Sequence, residues 1–377
     1  MDGVGGVQGV GVRSATARTA GTAGTGGWTG DGDDDIPVSR RGHTRAGAWF
    51  AGLPLLGVSV VLGCRIADTD AATPIPQLLA FLPWLLAPTG AALLLAALSR
   101  WRSGLVWGVA ALGVIAWYIE PYGKTMEAGG VPVAEVRVLT ANVEFGQATD
   151  ELVEAVTKQR PDFIFVQECE STCEKTLEQA FGKGEKDGET GKNRQDGKGG
   201  KAVYPYRQAV EAATSEGSDG SVILSRHPLK ATKGIPATMG MPGAVADVDG
   251  QEIRLQLAHP MPPLPSHLGT WRKELSALRD YAAANIDRPT VVAGDFNATQ
   301  DHAAFRRILD TGFMDGARLT GDTRTPSWPA LTAPAFGAQI DHVLVSRGFS
   351  ANKTRFLDLG NTDHRALVVD LTLRKSL

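Results

Sequence analysis

Polarity along the chain changes character twice. Residues 1–45 are mostly Gly, Thr, Ala and Asp, with almost no large apolar side chains. Such a segment buries too little surface to offset its ordering entropy, and it reads as a disordered tail. Charge then vanishes: no charged residue lies between Arg45 and Arg65, from Ala71 to Ser99, or from Ser103 to Ile119. Spanning a bilayer takes ~20 apolar residues, with ~17 as a lower limit. The pattern therefore predicts three transmembrane helices within residues 46–122. The third stretch, GLVWGVAALGVIAWYI, is the shortest but carries Trp107, Trp117 and Tyr118, aromatic types found at membrane interfaces. Buried core helices are the alternative, and three such stretches in succession argue against it. A cleaved signal peptide fits worse, because the leader is long and further apolar stretches follow.

From residue 130 the pattern changes again, to short β-branched runs alternating with polar helical stretches. EVRVLTANV (135–143), PDFIFVQE (161–168), SVILSR (221–226), EIRLQLAH (252–259), TVVAGDF (290–296), IDHVLVS (340–346) and ALVVDLTL (366–373) read as strands. TDELVEAVTKQR (149–160), HLGTWRKELSALRDYAAAN (267–285) and DHAAFRRIL (301–309) read as helices. The alternation predicts an α/β domain over 130–377, strands inside and helices outside. GKGEKDGETGKNRQDGKGGK (182–201) is charged and Gly-rich without apolar anchors, so a disordered surface insertion is expected there.

Basic residues set an expected orientation. Arg40, Arg41 and Arg45 precede the first apolar stretch, and Arg100 and Arg102 separate the second from the third. The intervening loop holds Asp68 and Asp70, with Arg65 at its edge. The positive-inside rule then puts the N-terminus in the cytoplasm and, after three crossings, the domain after about residue 122 outside the cell. The net charge of −3 gives no global basic field for nucleic acid. Cys169 and Cys173, in ECESTC, are either a disulfide formed outside the cell or two free thiols. CxxxC with no second Cys/His pair is a poor zinc signal.

Several strands end on residues with chemical capacity: Asn142, Glu168, His259, Asp295 with Asn297, Asp341, and Asp363 with His364 before the last strand. Asp295 and Asn297 are two apart, so on an extended backbone they share a face; the alternative is a turn, which both residue types favour. Gly294 suits a close approach. Carboxylates are hard ligands for Mg²⁺, histidines donate to phosphate oxygens or shuttle protons, and asparagines are neutral donors. No HExxH, no GxxxxGKS and no nucleophile beside a base is present, which favours metal-assisted attack of water on a phosphorus ester.

TANVEF, FVQE, SVILSRHP, LAHP, AGDFNA, QIDHVLVS and TDHRALVVDL occur in the order seen in the endonuclease/exonuclease/phosphatase family, which the chain resembles over about residues 134–373. That family includes deoxyribonucleases, apurinic-site endonucleases, sphingomyelinases and inositol-polyphosphate phosphatases. The resemblance implies a four-layer sandwich, two packed and mostly antiparallel β-sheets flanked by helices, here preceded by the three transmembrane helices. It implies Glu168 as the main ligand of Mg²⁺ (Mn²⁺ as the substitute), with Asp363 supporting and Asn142 adjacent, at the metal and as a phosphate contact. Asp295 would orient or deprotonate water, and Asn297, His259 and His364 would hold phosphate, with Asp341 orienting His364. Arg272, at the start of the following helix, is either a further phosphate contact or a surface arginine. Trp271 and Trp328 either stack on a substrate or pack in the core or at the rim.

The expected activity is that of a membrane-tethered phosphodiesterase or nuclease. Phospholipid-headgroup or inositol-phosphate hydrolysis is the first alternative, and a non-catalytic phosphate-binding membrane protein the second. The partners expected are thus a phosphoester substrate, DNA or lipid, and the cell membrane. The Ala/Gly/Arg-rich style suggests a bacterial source.

Overall fold

The computed structural model describes residues 40–119, 129–182, 203–210, 220–332 and 336–375. The expected disorder of the tail up to residue 39 and of the 182–201 insertion falls outside them, Gly182 excepted. Four helices come first: α1 (Arg40–Ile66), α2 (Ile75–Ala80), α3 (Leu86–Leu98) and α4 (Arg102–Ile119). Then follow β1 (Val131–Asn142), α5 (Thr149–Gln159), β2 (Phe163–Gln167), α6 (Ser171–Phe181), β3 (Tyr206–Val210), β4 (Ser221–Ser225), β5 (Leu229–Thr232), β6 (Gly243–Val248) and β7 (Gln251–Ala258). The chain continues through α7 (Leu268–Asn285), β8 (Thr290–Asp295), α8 (Ala303–Leu309), β9 (Met314–Asp315), α9 (Gly316–Thr320), β10 (Asp341–Val345), β11 (Phe349–Asp358) and β12 (Arg365–Lys375).

The strands form two six-stranded sheets, ordered β11-β12-β1-β2-β4-β3 and β5-β6-β7-β8-β10-β9. Among the described strands, only β1 with β2 and β7 with β8 pair in parallel. Alternate side chains of each strand serve opposite faces. Val136, Val138, Phe163 and Phe165 of the first sheet meet Leu255, Leu257, Val291 and Val343 of the second in the central core. Leu139, Ile164 and Val166 face outward, under Leu152, Val156 and Leu177 of α5 and α6. Val292 and Leu344 face outward under Leu275, Leu278 and Phe305 of α7 and α8. The result is the expected four-layer sandwich. Strands buried on both faces account for the unbroken apolar runs in the sequence.

The N-terminal helices depart from expectation in one respect. Among the described residues two helices, Ala46–Ile66 and Arg102–Ile119, are long and apolar enough to cross a membrane, rather than three. The second apolar stretch is broken into α2, a 3₁₀ turn at Leu82–Leu85, and α3. Pro74, Pro76 and Pro83 fall where these pieces start, and proline cannot supply an interior helix N–H. The continuous apolar helical part is the shorter Leu82–Leu98. At the other end α1 begins at Arg40, inside the segment expected to be disordered.

α1 and α4 run in the same direction: Trp107 Nε1 donates to Ser59 Oγ at 2.9 Å, and Arg65 lies over the Tyr118 ring. α3 returns between them, Leu82 and Leu85 near Ile115 at one end and Ala92 and Ala96 near Ala51 and Leu55 at the other. Most of α1 and α4 is not buried, and apolar side chains such as Trp49, Leu53, Val106 and Val109 point outward. The C-terminal ends of α1 and α4 meet the sandwich. Asp70 accepts from the N–H groups of Ala303 and Ala304 at 2.7 and 2.9 Å, capping α8 from across the chain. Buried Asp301 takes Arg324 Nη2 at 2.9 Å and Arg65 Nε at 3.4 Å, and Arg324 also donates to the Tyr118 carbonyl at 2.7 Å.

Candidate active site

One rim of the sandwich collects the strand-end residues, because the topology sends them there. β1, β2, β7 and β8 deliver their C-terminal ends: Asn142 closes β1, Glu168 follows β2, His259 follows β7 and Asp295 closes β8. β10 and β12 run antiparallel to these, so their N-terminal ends reach the same rim, with Asp341 paired opposite Asp295 and His364 just before β12. Gly294 permits the packing: a Cβ there would stand 1.9 Å from the Ala258 carbonyl oxygen, so β7 and β8 approach only without it.

Local hydrogen bonds fix the group. Asn142 Nδ2 donates to Glu168 Oε1 at 3.0 Å and to Asp295 Oδ2 at 3.3 Å, while its Oδ1 accepts from the Glu144 N–H. Glu168 Oε2 accepts from the Phe145 N–H at 3.2 Å. Glu168 sits at φ +56°, in the left-handed region that bulky side chains avoid; strain of this kind gathers at functional sites. The 169–173 disulfide and the Glu170 side chain, which caps α6 through the Thr172 and Cys173 N–H groups, hold the backbone just after it. The sulfur atoms are therefore bonded rather than free.

Asp295 Oδ1 accepts from the Asn297 N–H at 2.8 Å. Asn297 has φ +47° and lies beyond the end of the strand, so the turn reading applies here and the shared extended face does not. The Asn297 amide reaches Pro260 O at 3.0 Å, and its carbonyl accepts from Trp271 Nε1 at 3.1 Å. His364 Nδ1 bonds Asp341 Oδ2 at 2.9 Å, with its Nε2 3.8 Å from both Asp295 Oδ2 and Asp363 Oδ1.

The electrostatics separate the two histidines. Burial would lower His364, but the carboxylates of Asp341 and Asp295, with Asp363, carry it up to about 10, so it is an imidazolium at neutral pH. Burial, with the His364 charge added, pushes His259 down to about 3, so that ring is neutral. Neither His259 nitrogen has a hydrogen-bond partner, although the ring is buried, and Asp341 Oδ1 is also unpartnered. Burial raises Glu168 and Asp295 above the usual carboxylate range.

These residues suit a hard divalent cation. Four carboxylates share the rim with one imidazolium, and buried charge of one sign needs a counter-ion. Glu168 presents two carboxylate oxygens, each with a lone pair beyond its hydrogen bond. Asp363 accepts from Trp328 Nε1 through Oδ2 at 2.7 Å, and its Oδ1 faces His364. Asn142 turns its amide nitrogen to Glu168, the posture of a brace. Asp295, Asp341 and His364 also offer ligand atoms within 4.8 Å of one another. That trio suits a cation poorly, because the His364 ring is protonated and already bonded to Asp341.

Of the residues singled out in the sequence, Asn142, Glu168, His259, Asp295, Asn297, Asp341, Asp363 and His364 come together. Arg272 stands elsewhere: it donates to the Ala71 carbonyl and lines a separate cavity with Thr69, Ser276, Arg279 and Arg307. Sequence reasoning missed the supports. Glu144 Oε2 accepts from the Asp363 N–H at 2.8 Å, and Thr362 Oγ1 donates to the Asn142 carbonyl at 3.0 Å. Their nearness in TANVEF and NTDH was the available signal. Trp328, singled out in the sequence as a stacking or packing residue, binds Asp363, a partner that no motif around it marks.

A rim of carboxylates and imidazoles on a two-sheet, four-layer sandwich defines a class of phosphoester-cleaving fold, and sequence comparison agrees. The model of the endonuclease/exonuclease/phosphatase family matches residues 139–364, more than half of the chain. The chain belongs to that family, whose members are in general phosphoester hydrolases and typically use a divalent metal. No curated protein sequence matches it. Among solved structures it is similar to a humanized Danio rerio TDP2, at 13% identity and TM-score 0.47, over 63% of this chain and 98% of that one. It is similar to an endonuclease/exonuclease/phosphatase from Beutenbergia cavernae, at 16% identity and TM-score 0.47, over 65% and 73%. A third, D. rerio TDP2 complexed with single strand DNA product, has 13% identity and TM-score 0.47 over 63% and 99%.

Proposed function

We propose that this protein is a membrane-anchored, outward-facing, divalent-metal-dependent phosphoester hydrolase that cleaves by direct attack of water. The observation that carries the reading is the buried His259 ring, neutral and without a partner on either nitrogen, facing Glu168 at 3.8 Å within a rim of carboxylates. A buried polar group left unpaired costs about 1–3 kcal/mol, which a phosphate oxygen would recover.

Asp295 orients the water and accepts its proton; it also accepts from the Asn297 N–H and the Asn142 amide and lies 3.8 Å from His364 Nε2. His364, kept charged and aligned by Asp341, donates Nε2–H to a phosphate oxygen. His259 and the second N–H of Asn297 donate to others. Mg²⁺ or Mn²⁺, held by Glu168 with Asp363 and braced by Asn142, would offset charge on the phosphate.

The placement outside the cell rests on direction and charge. α1 and α4 run parallel and end at the sandwich. If both cross the bilayer, Leu82–Leu98 is the return path, at the short limit of ~17 residues. Arg100 and Arg102 then lie at the end away from the sandwich, the cytoplasmic one. The disulfide suits an oxidising compartment.

The test uses the full chain in detergent micelles with bis(p-nitrophenyl) phosphate. Turnover should require Mg²⁺ or Mn²⁺, stop with EDTA, and fall about 10²–10³-fold in Asp295→Asn and His364→Ala. A folded protein that binds Mn²⁺ yet turns over nothing would leave only the phosphate-binding reading.

A further inference from the structure

We propose that the catalytic cleft opens onto the bilayer and that the substrate is a phosphoester borne by a membrane lipid; this rests on the membrane-anchored hydrolase reading above. Two loops wall the rim, and each touches the site on one side and the membrane-entering segment on the other. In the first, Pro260 O holds the Asn297 amide, and three residues on Pro263 O accepts from Gln77 Nε2 of α2. In the second, Trp328 Nε1 donates to Asp363 at 2.7 Å while its ring lies 6.2 Å from Phe81. Phe336 of that loop stacks on Trp84 at 4.4 Å. Trp328 therefore touches both Asp363 and the segment that continues into the apolar bundle.

The same loops carry large apolar side chains in the open: Leu331 at 82% exposure, Phe336 at 51% and Leu264 at 49%. Apolar groups continuous with an apolar helical belt mark a surface that sits in the interface. Among the described residues, three arginines near these loops are already committed to other partners. A polynucleotide needs cations along its track. Arg324 is held by Asp301 and the Tyr118 carbonyl, Arg365 is buried on the carbonyls of Pro326 and Ala330, and Arg272 donates to Ala71 O. A lipid phosphoester needs no such track, because the bilayer already holds it at the height of the rim.

The test places the full chain in nanodiscs of phosphatidylcholine, phosphatidylethanolamine, phosphatidylglycerol and sphingomyelin. Released headgroup phosphoester or phosphate is measured by mass spectrometry, with plasmid DNA and bis(p-nitrophenyl) phosphate assayed alongside. Lipid turnover is expected, falling at least about 10-fold in Leu331→Asp/Phe336→Asp while the soluble ester is cleaved within about twofold of the parent rate. A second readout needs no activity: an environment-sensitive dye on Leu331→Cys, in a Cys64→Ser background, should be blue-shifted and quenched by spin-labelled lipid. Soluble-ester turnover with intact lipids, parallel loss of both activities in the double variant, or a water-like dye would each overturn the inference. Loss of soluble-ester turnover in the parent protein would instead overturn the hydrolase reading on which it rests.

Discussion

Gly294 carries more consequence than its size suggests. It sits beside Asp295 at φ +155°, and no side chain fits against Ala258 O. Gly294→Ala should force the ends of β7 and β8 apart and with them His259 and Asp295. Misplacement of reacting groups by about 1 Å costs on the order of 10²-fold, so kcat on bis(p-nitrophenyl) phosphate should fall by that order while the far-ultraviolet circular dichroism is kept. Retention of kcat within twofold would show that the contact does not set the site. Asn297 illustrates the limit of local reasoning. Its spacing from Asp295 suggests a shared strand face, yet its left-handed backbone puts it in a turn whose first hydrogen bond is to Asp295 itself.

At the scale of elements, strand pairing and helix capping depend on ion pairs and caps from distant segments. Asp370 of β12 binds Arg137 of β1 and Arg355 of β11 across the first sheet. Partial burial would raise this carboxyl, but the hydrogen bond from Arg137 and the charge of Arg355 hold it below the usual range. A depressed carboxyl stabilises the fold above its unfolded pKa, and that contribution disappears as pH falls through the folded value. Acid unfolding of the parent should therefore steepen below about pH 4, and Asp370→Asn should remove that component in a chemical-denaturation pH series. An unchanged acid limb would contradict the assignment. Asp70 caps α8 from the loop after α1. Asp70→Ala should cost about 1–2 kcal/mol and speed amide exchange at Ala303 and Ala304.

The edge strands show why some elements escape sequence reading. β11, FSANKTRFLD, alternates weakly because much of it meets water, the edges β3 and β5 are only partly buried, and the edge β9 is two residues long. β6, GAVADV, lies inside its sheet but lacks a run of large apolar side chains. The other interior strands were legible because burial on both faces demands continuous apolar runs.

For the whole molecule, the junction between helices and sandwich is the decisive feature. Asp301 is fully buried, and Arg324 and Arg65 reach it from the sandwich and from the end of α1. Breaking a buried pair leaves an uncompensated charge and costs about 3 kcal/mol or more. Truncating one partner, Arg324→Ala, should lower the thermal midpoint of the full chain in detergent. It should also expose the α8 region to protease, whereas Asp287→Ala, at an exposed and distant ion pair, should not.

The sequence by itself named the residues that the rim brings together. Which carboxylates, imidazoles and amides end the strands is written in consecutive residues, and buried strands announce themselves by composition. The three-segment apolar region was also legible, though not its break at the prolines, because hydropathy counts side chains and ignores missing N–H donors. Only the tertiary structure decided the rest. It set His364 as a cation and left His259 neutral and unpartnered, because burial and neighbouring charge depend on approach in space. It committed Arg272 to a backbone carbonyl, where sequence left two readings open. It placed Trp328 between Asp363 and Phe81, a relation between segments far apart in the chain that no local pattern carries.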